Sequence, residues 1–136
     1  MKVEYAKRLD SVGDLIINIS NLIKSPEEVD VFSFQNFKIY KEEMNEKIKC
    51  FEYATESLKE VKTPLIIQNL HNEYVEWFRK YIESIIILND SNNVRSSNEI
   101  HFNESEYDRG FALQEKSVSE IGRIFPLIGD KLLNYL

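Results

Sequence analysis

Between Pro64 and Leu88 the apolar residues are spaced so that a helix would gather them over much of its circumference. At 100° per residue, with Tyr74 as origin, Ile66 lies at about −80° and Ile86 at about +120°. Ile67, Leu70, Val75, Trp77, Phe78, Tyr81, Ile82, Ile85 and Leu88 fall between them. An apolar arc of roughly 200° is about twice what a helix resting on one neighbour needs. Such a helix must be covered on two sides. The expectation is a central place in a helical bundle, with a partner molecule on the extra face as the alternative.

The rest of the chain offers that helix its neighbours. In the segment 3–24, Tyr5, Leu9, Val12, Ile16, Ile19 and Ile23 alternate steps of four and three, and Leu15 and Leu22 widen the stripe. Ser25-Pro26-Glu27-Glu28 reads as a helix start, with a Ser cap, Pro in the first turn and carboxylates at the positive end of the dipole. This predicts a short turn over 26–31. A second long helix is predicted over 33–62, with Phe37, Tyr40, Met44, Ile48, Phe51, Thr55, Leu58 and Val61 inward and Glu42, Glu46, Lys49, Glu56 and Glu60 outward. Thr63-Pro64 ends it and opens the third helix, 64–88, because proline disfavours helical geometry in the residue before it. The polar stretch 89–102 has neither helical nor strand periodicity and is expected to be a long loop. Asn103-Glu104-Ser105-Glu106 has the form of a capping box. A fourth helix, 103–125, should turn Tyr107, Phe111, Val118, Ile121 and Phe125 inward, with Gly110 and Ser117 beside them to admit a neighbouring backbone. Pro126 is expected to break it and leave a short C-terminal helix that buries Ile128, Leu132 and Tyr135.

Composition supports one all-α domain spanning residues 1–136, a bundle of about four amphipathic helices. At 136 residues a single core suffices, and four Gly and three Pro are too few for a turn-rich β-sandwich. The net charge of −6, without a basic run, argues against a nucleic-acid surface. Cys50 is the only cysteine, which fits a reducing compartment. The first residues contain no apolar leader, and the longest strongly apolar run, Ile85 to Leu88, cannot span a bilayer. The expectation is a soluble, cytoplasmic protein without a transmembrane segment.

Chemical signatures are scarce. Di-iron bundles need Glu-x-x-His pairs, whereas His71 and His101 follow Gln68 and Asn98 at that spacing. One cysteine and two histidines offer little to zinc. Cys50 sits at the edge of a buried stripe without a nearby His, which predicts an inert, partly buried thiol. The serines have no nucleophile elbow and the glycines form no phosphate cradle. No catalytic residue, metal or cofactor is therefore expected. Arg8, near the apolar stripe, should keep its head in water at the bundle end. Asn18-Ile19-Ser20 and Asn103-Glu104-Ser105 match the glycosylation pattern by sequence alone.

Six residues stand out as interaction or pocket candidates. His71 falls inside the apolar arc, between Phe78 and Ile82, where an imidazole either packs at the core edge or contacts a ligand. Trp77 and Phe78 diverge by about 100°. Ile39 and Tyr53 point to the charged side of their helix and would mark an interaction site if they joined a larger patch with Val75 or Ile86.

The joint Leu58-Lys59-Glu60-Val61-Lys62-Thr63-Pro64, followed by Leu70-His71-Asn72-Glu73-Tyr74, resembles uncharacterised small helical-bundle domains of low-GC Gram-positive bacteria. The resemblance covers about a third of the chain. It implies that His71 is a packing residue of the third helix and carries no activity with it. The reading that results is a non-enzymatic protein-interaction module, of inhibitor, immunity-type or adaptor kind, binding a protein partner or a second copy of itself. The alternative is a helical bundle that takes a small molecule or lipid in an apolar pocket near His71.

Overall fold

A computed structural model describes residues 5, 7–9, 13–14, 34–60, 62–94 and 100–133. Val12, the stripe from Leu15 to Ile23, the turn at 26–31, Val61 and Tyr135 lie outside these residues. The chain folds as an all-α bundle. Helix α1 is Phe34–Glu60, a 3-10 turn spans Leu65–Ile67, α2 is Gln68–Asp90 and α3 is Glu104–Leu133. Residues 5, 7–9, 13 and 14 are helical as well.

Every described member of the predicted α1 stripe, from Phe37 to Leu58, is buried, and the five predicted outward residues are exposed. The stripe is narrow, so Cys50, expected at its edge and partly buried, is instead exposed. Pro64 does not sit in the first turn of the next helix. Its backbone is extended (φ −56°, ψ 138°) and its carbonyl accepts from the Ile67 N–H at 3.1 Å, so the 3-10 turn intervenes before α2.

Helix α2 occupies the centre. It packs on both α1 and α3, and Tyr5 of the N-terminal segment reaches it as well. Its buried residues run from His71 to Asn89 and include Ser84 and Ile87, on the side opposite α1. The wide apolar arc is thus used by the chain itself. At its heart the rings of Phe51, Phe78 and Tyr81 meet, with Phe51 at 5.8 and 5.5 Å from the other two centroids, and Tyr74 meets Phe78 edge-on at 4.6 Å. Such tilted arrangements suit the aromatic quadrupole.

Small residues bring α2 and α3 together. A Cβ added at Gly110 would lie 2.8 Å from Ile87 Cγ2 and 3.1 Å from the Leu88 amide nitrogen. Ser84 and Ser117 are fully buried. Their hydroxyls donate within their own helices, to the Tyr81 carbonyl at 2.5 Å and the Leu113 carbonyl at 2.7 Å, so neither needs a partner across the interface. The predicted close approach at Gly110 and Ser117 is present.

Three expectations need correction. The stretch 89–102 is not one loop: α2 continues to Asp90, and Asn92–Val94 pairs antiparallel with Ile100–Phe102 as a two-stranded ribbon. The ribbon is anchored by hydrogen bonds that periodicity does not reveal. The Ser91 N–H donates to Ile87, the Ser91 hydroxyl to Leu88, and the Asn103 N–H to Ser91. Second, α3 runs unbroken past Pro126, so the predicted short terminal helix is its continuation. Proline there deprives the Gly122 carbonyl of its donor, but Gly122 and Pro126 are both exposed and water can serve that carbonyl. Third, the inward face of α3 is Gly110, Ser117, Ile124 and Ile128, while Phe111, Val118 and Phe125 are exposed. Asn103 caps the helix as expected, its Oδ1 accepting from the Glu106 N–H at 3.1 Å. The reciprocal half of the box is replaced, since Glu106 pairs with Arg109 at 2.8 Å.

Candidate functional site

The six residues singled out by sequence do not form one site. His71 and Phe78 are core residues, and Ile82 is buried with only its edge on a shallow groove shared with Glu52, Thr55, Glu56 and Arg79. His71 Nδ1 shares a hydrogen bond with the Tyr5 hydroxyl, at 2.8 Å. Burial pushes His71 below its ordinary value, and burial likewise pushes the Tyr5 phenol up. The Leu58 carbonyl opposes the shift at His71, whose Nε2 is buried with no hydrogen-bond partner among the described residues. The histidine therefore fastens the N-terminal segment onto the α1–α2 joint. Arg8 strengthens the same joint, its head exposed and donating to Ser57 Oγ at 2.7 Å.

Trp77 is half-buried between α2 and α3. The Lys80 ammonium lies 4.3 Å from its ring centroid and the Lys116 ammonium 5.9 Å, so the indole face is taken by cations of the same chain. Nearby, Arg123 joins Glu73 of α2 and Glu120 of α3. This flank of the interface is a polar clasp.

Ile39 and Tyr53 are exposed on the outer side of α1, at 49% and 80%. They are separated by about 21 Å along the helix axis. Val75 is buried and cannot extend a patch between them, while Ile86 is only marginally exposed.

The larger apolar exposure is on α3. Phe111, Val118 and Phe125 recur every seven residues and stand 44%, 46% and 45% exposed. Seven residues nearly complete two helical turns, so the three form one ridge that drifts by only about 20° per step. The ridge is attached at its ends: Phe111 stacks on Tyr107 at 6.3 Å, and Phe125 meets Tyr74 at 6.3 Å. Val118 lies between them, on a hollow shared with Gln114, Glu115 and Ser119. Gly122 and Gly129 flank the ridge, and a Cβ added at either would meet nothing within 4 Å. The surface beside the ridge is thus low and open. Sequence reasoning found these residues but faced them inward. The track Gly110, Ser117, Ile124 and the track Phe111, Val118, Phe125 have the same seven-residue spacing and differ by one position. Periodicity alone does not say which is inside.

Among the described residues, no three or more His, Cys, Asp or Glu side chains are grouped to hold a metal ion. No described helix is long and apolar enough to cross a membrane. A scan against protein-family models finds no match, and searches of curated proteins and of solved structures find none.

Proposed function

We propose that this chain is a non-enzymatic protein-interaction module that works through the outer face of α3. One observation carries the reading: a regular ridge of Phe111, Val118 and Phe125 is left open on a helix whose other face packs on α2. Large apolar side chains exposed singly are ordinary, whereas a row aligned on one helix face offers a partner a single line of contact. The extra width of α2, which first suggested a partner, does not carry the reading, because the chain's own helices cover most of it. The exposed pair Ile39 and Tyr53 on α1 is a lesser, separate candidate.

The test is a photoreactive residue at position 118, compared with one at position 53, in the protein expressed in its native cell. A protein cross-linked from position 118, and no longer bound when Val118 is changed to Lys, is the expected result. Unchanged association of the Val118→Lys protein, with itself and with everything else it captures, overturns the proposal. Loss of binding on Ile39→Lys and Tyr53→Lys alone would move the site to α1.

A further inference from the structure

We infer that the ridge on α3 pairs with the same ridge of a second copy, the two helices running antiparallel about Val118. This rests on the reading of α3 as an interaction face and names the occupant. The first support is the order of the ridge, which is the same from either end: Phe111, Val118, Phe125. An antiparallel partner centred on Val118 sets Phe111 against the partner's Phe125, and Val118 against its counterpart. That is the self-complementarity a two-fold interface requires.

Charge is the second support. About 40° from the ridge runs a track of Asp108, Glu115, Gly122 and Gly129 at the same spacing. The acids occupy its N-terminal half and the glycines its C-terminal half. Antiparallel pairing lays each acid beside a glycine of the partner. Centring the antiparallel pair on Phe111 instead would set Asp108 against the partner's Glu115, which is repulsive, so the charges favour the register about Val118. The next track outward, Ala112, Ser119 and Pro126, is exposed and carries no charge. The space above Gly122 and Gly129 is open, so a partner's Phe rings can settle there.

The contact is modest. From Asp108 to Gly129 the strip is about 33 Å long. Two such strips bury on the order of 1,000 Å², the low end for a specific interface, so the dimer is weak and reversible. Each chain carries a net charge of −6, so the copies repel at long range and added salt favours the dimer.

Sedimentation velocity between about 10 and 500 µM tests this in the intact chain, a range that brackets a weak dimer. The expected result is a monomer–dimer equilibrium that strengthens with salt and is weakened by about tenfold in Val118→Lys. Circular dichroism confirms that each variant is folded. Orientation is read from two changes at one position. Antiparallel pairing brings residue 122 to the partner's Glu115, so Gly122→Lys preserves or tightens the dimer and Gly122→Glu loosens it. Equal effects of the two changes would mean that residue 122 does not meet the partner's Glu115, and overturn the antiparallel pairing about Val118. A monomer at every concentration overturns the second copy as occupant. So does a cross-link from position 118 to a segment of the same molecule. A foreign protein captured at position 118 by such a monomer would still uphold the interaction reading.

Discussion

Helices α2 and α3 have similar proportions of apolar residues and opposite fates. Helix α2 is covered by α1 on one side, by α3 on the other and by Tyr5 near its start, and the strip through Asn72, Glu76, Glu83 and Asp90 meets solvent. Among the described elements helix α3 packs chiefly on α2, and at the closest approach it presents Gly110 and Ser117. Gly110 and Ser117 let the backbones approach, and that closeness leaves the Phe111 track on the outside. Where a helix sits in the bundle, more than its own hydrophobicity, decides how much of its apolar surface is left for other molecules.

The contrast is easiest to break at the core of α2. Phe78→Ala should cost about 3–5 kcal/mol, read by urea unfolding, because it opens a cavity among Phe51, Tyr74 and Tyr81. A cost near zero would mean that α2 is not the centre. Next is the close approach. Alanine ordinarily favours a helix over glycine by about 1 kcal/mol. Gly110→Ala should nonetheless destabilise by about 1–3 kcal/mol, because the methyl meets the fixed Leu88 backbone. Gly122→Ala, on the open side of the same helix, should stabilise by about 0.5–1 kcal/mol. Opposite signs at two glycines of one helix would confirm which side is packed.

Removing the α3 cap with Asn103→Ala should cost about 1 kcal/mol in the same assay. The smallest effect is at the ridge: Val118→Lys should move stability by no more than about 0.5 kcal/mol while changing association. A large loss there would make the ridge part of the core.

The Tyr5–His71 joint sharpens the contrast through pH. His71 is held below its ordinary value of 6.5, so the unfolded chain takes up this proton before the folded one. Its contribution to stability is complete above about pH 6.5. It declines as pH falls from there toward the folded value, below which no further loss comes from this group. Unfolding midpoints at pH 7.5, 6.5 and 5.5 should fall for the native chain and fall less for His71→Leu. Equal declines would show that the ring is not shielded.

Much of this architecture was legible beforehand. In α1, each step of three or four from Phe37 to Leu58 marked a residue that is buried. Asn103 with Glu106 announced the start of α3 correctly. The ribbon was not legible, because it depends on hydrogen bonds joining Ser91 to Asn103 across the intervening residues rather than on any repeating pattern. Continuation through Pro126 was missed because the penalty for proline depends on whether water reaches the carbonyl it abandons.

Sequence alone determined that the chain is built of helices and which side of α1 and α2 is apolar, since both follow from the fixed turn of the backbone. Tertiary structure alone decided that α2 covers most of its arc within the bundle, that His71 is fastened by Tyr5, and that Gly110 rather than Phe111 faces the neighbour. The last choice turns on how closely two backbones can approach, and that distance exists only once both helices are in place.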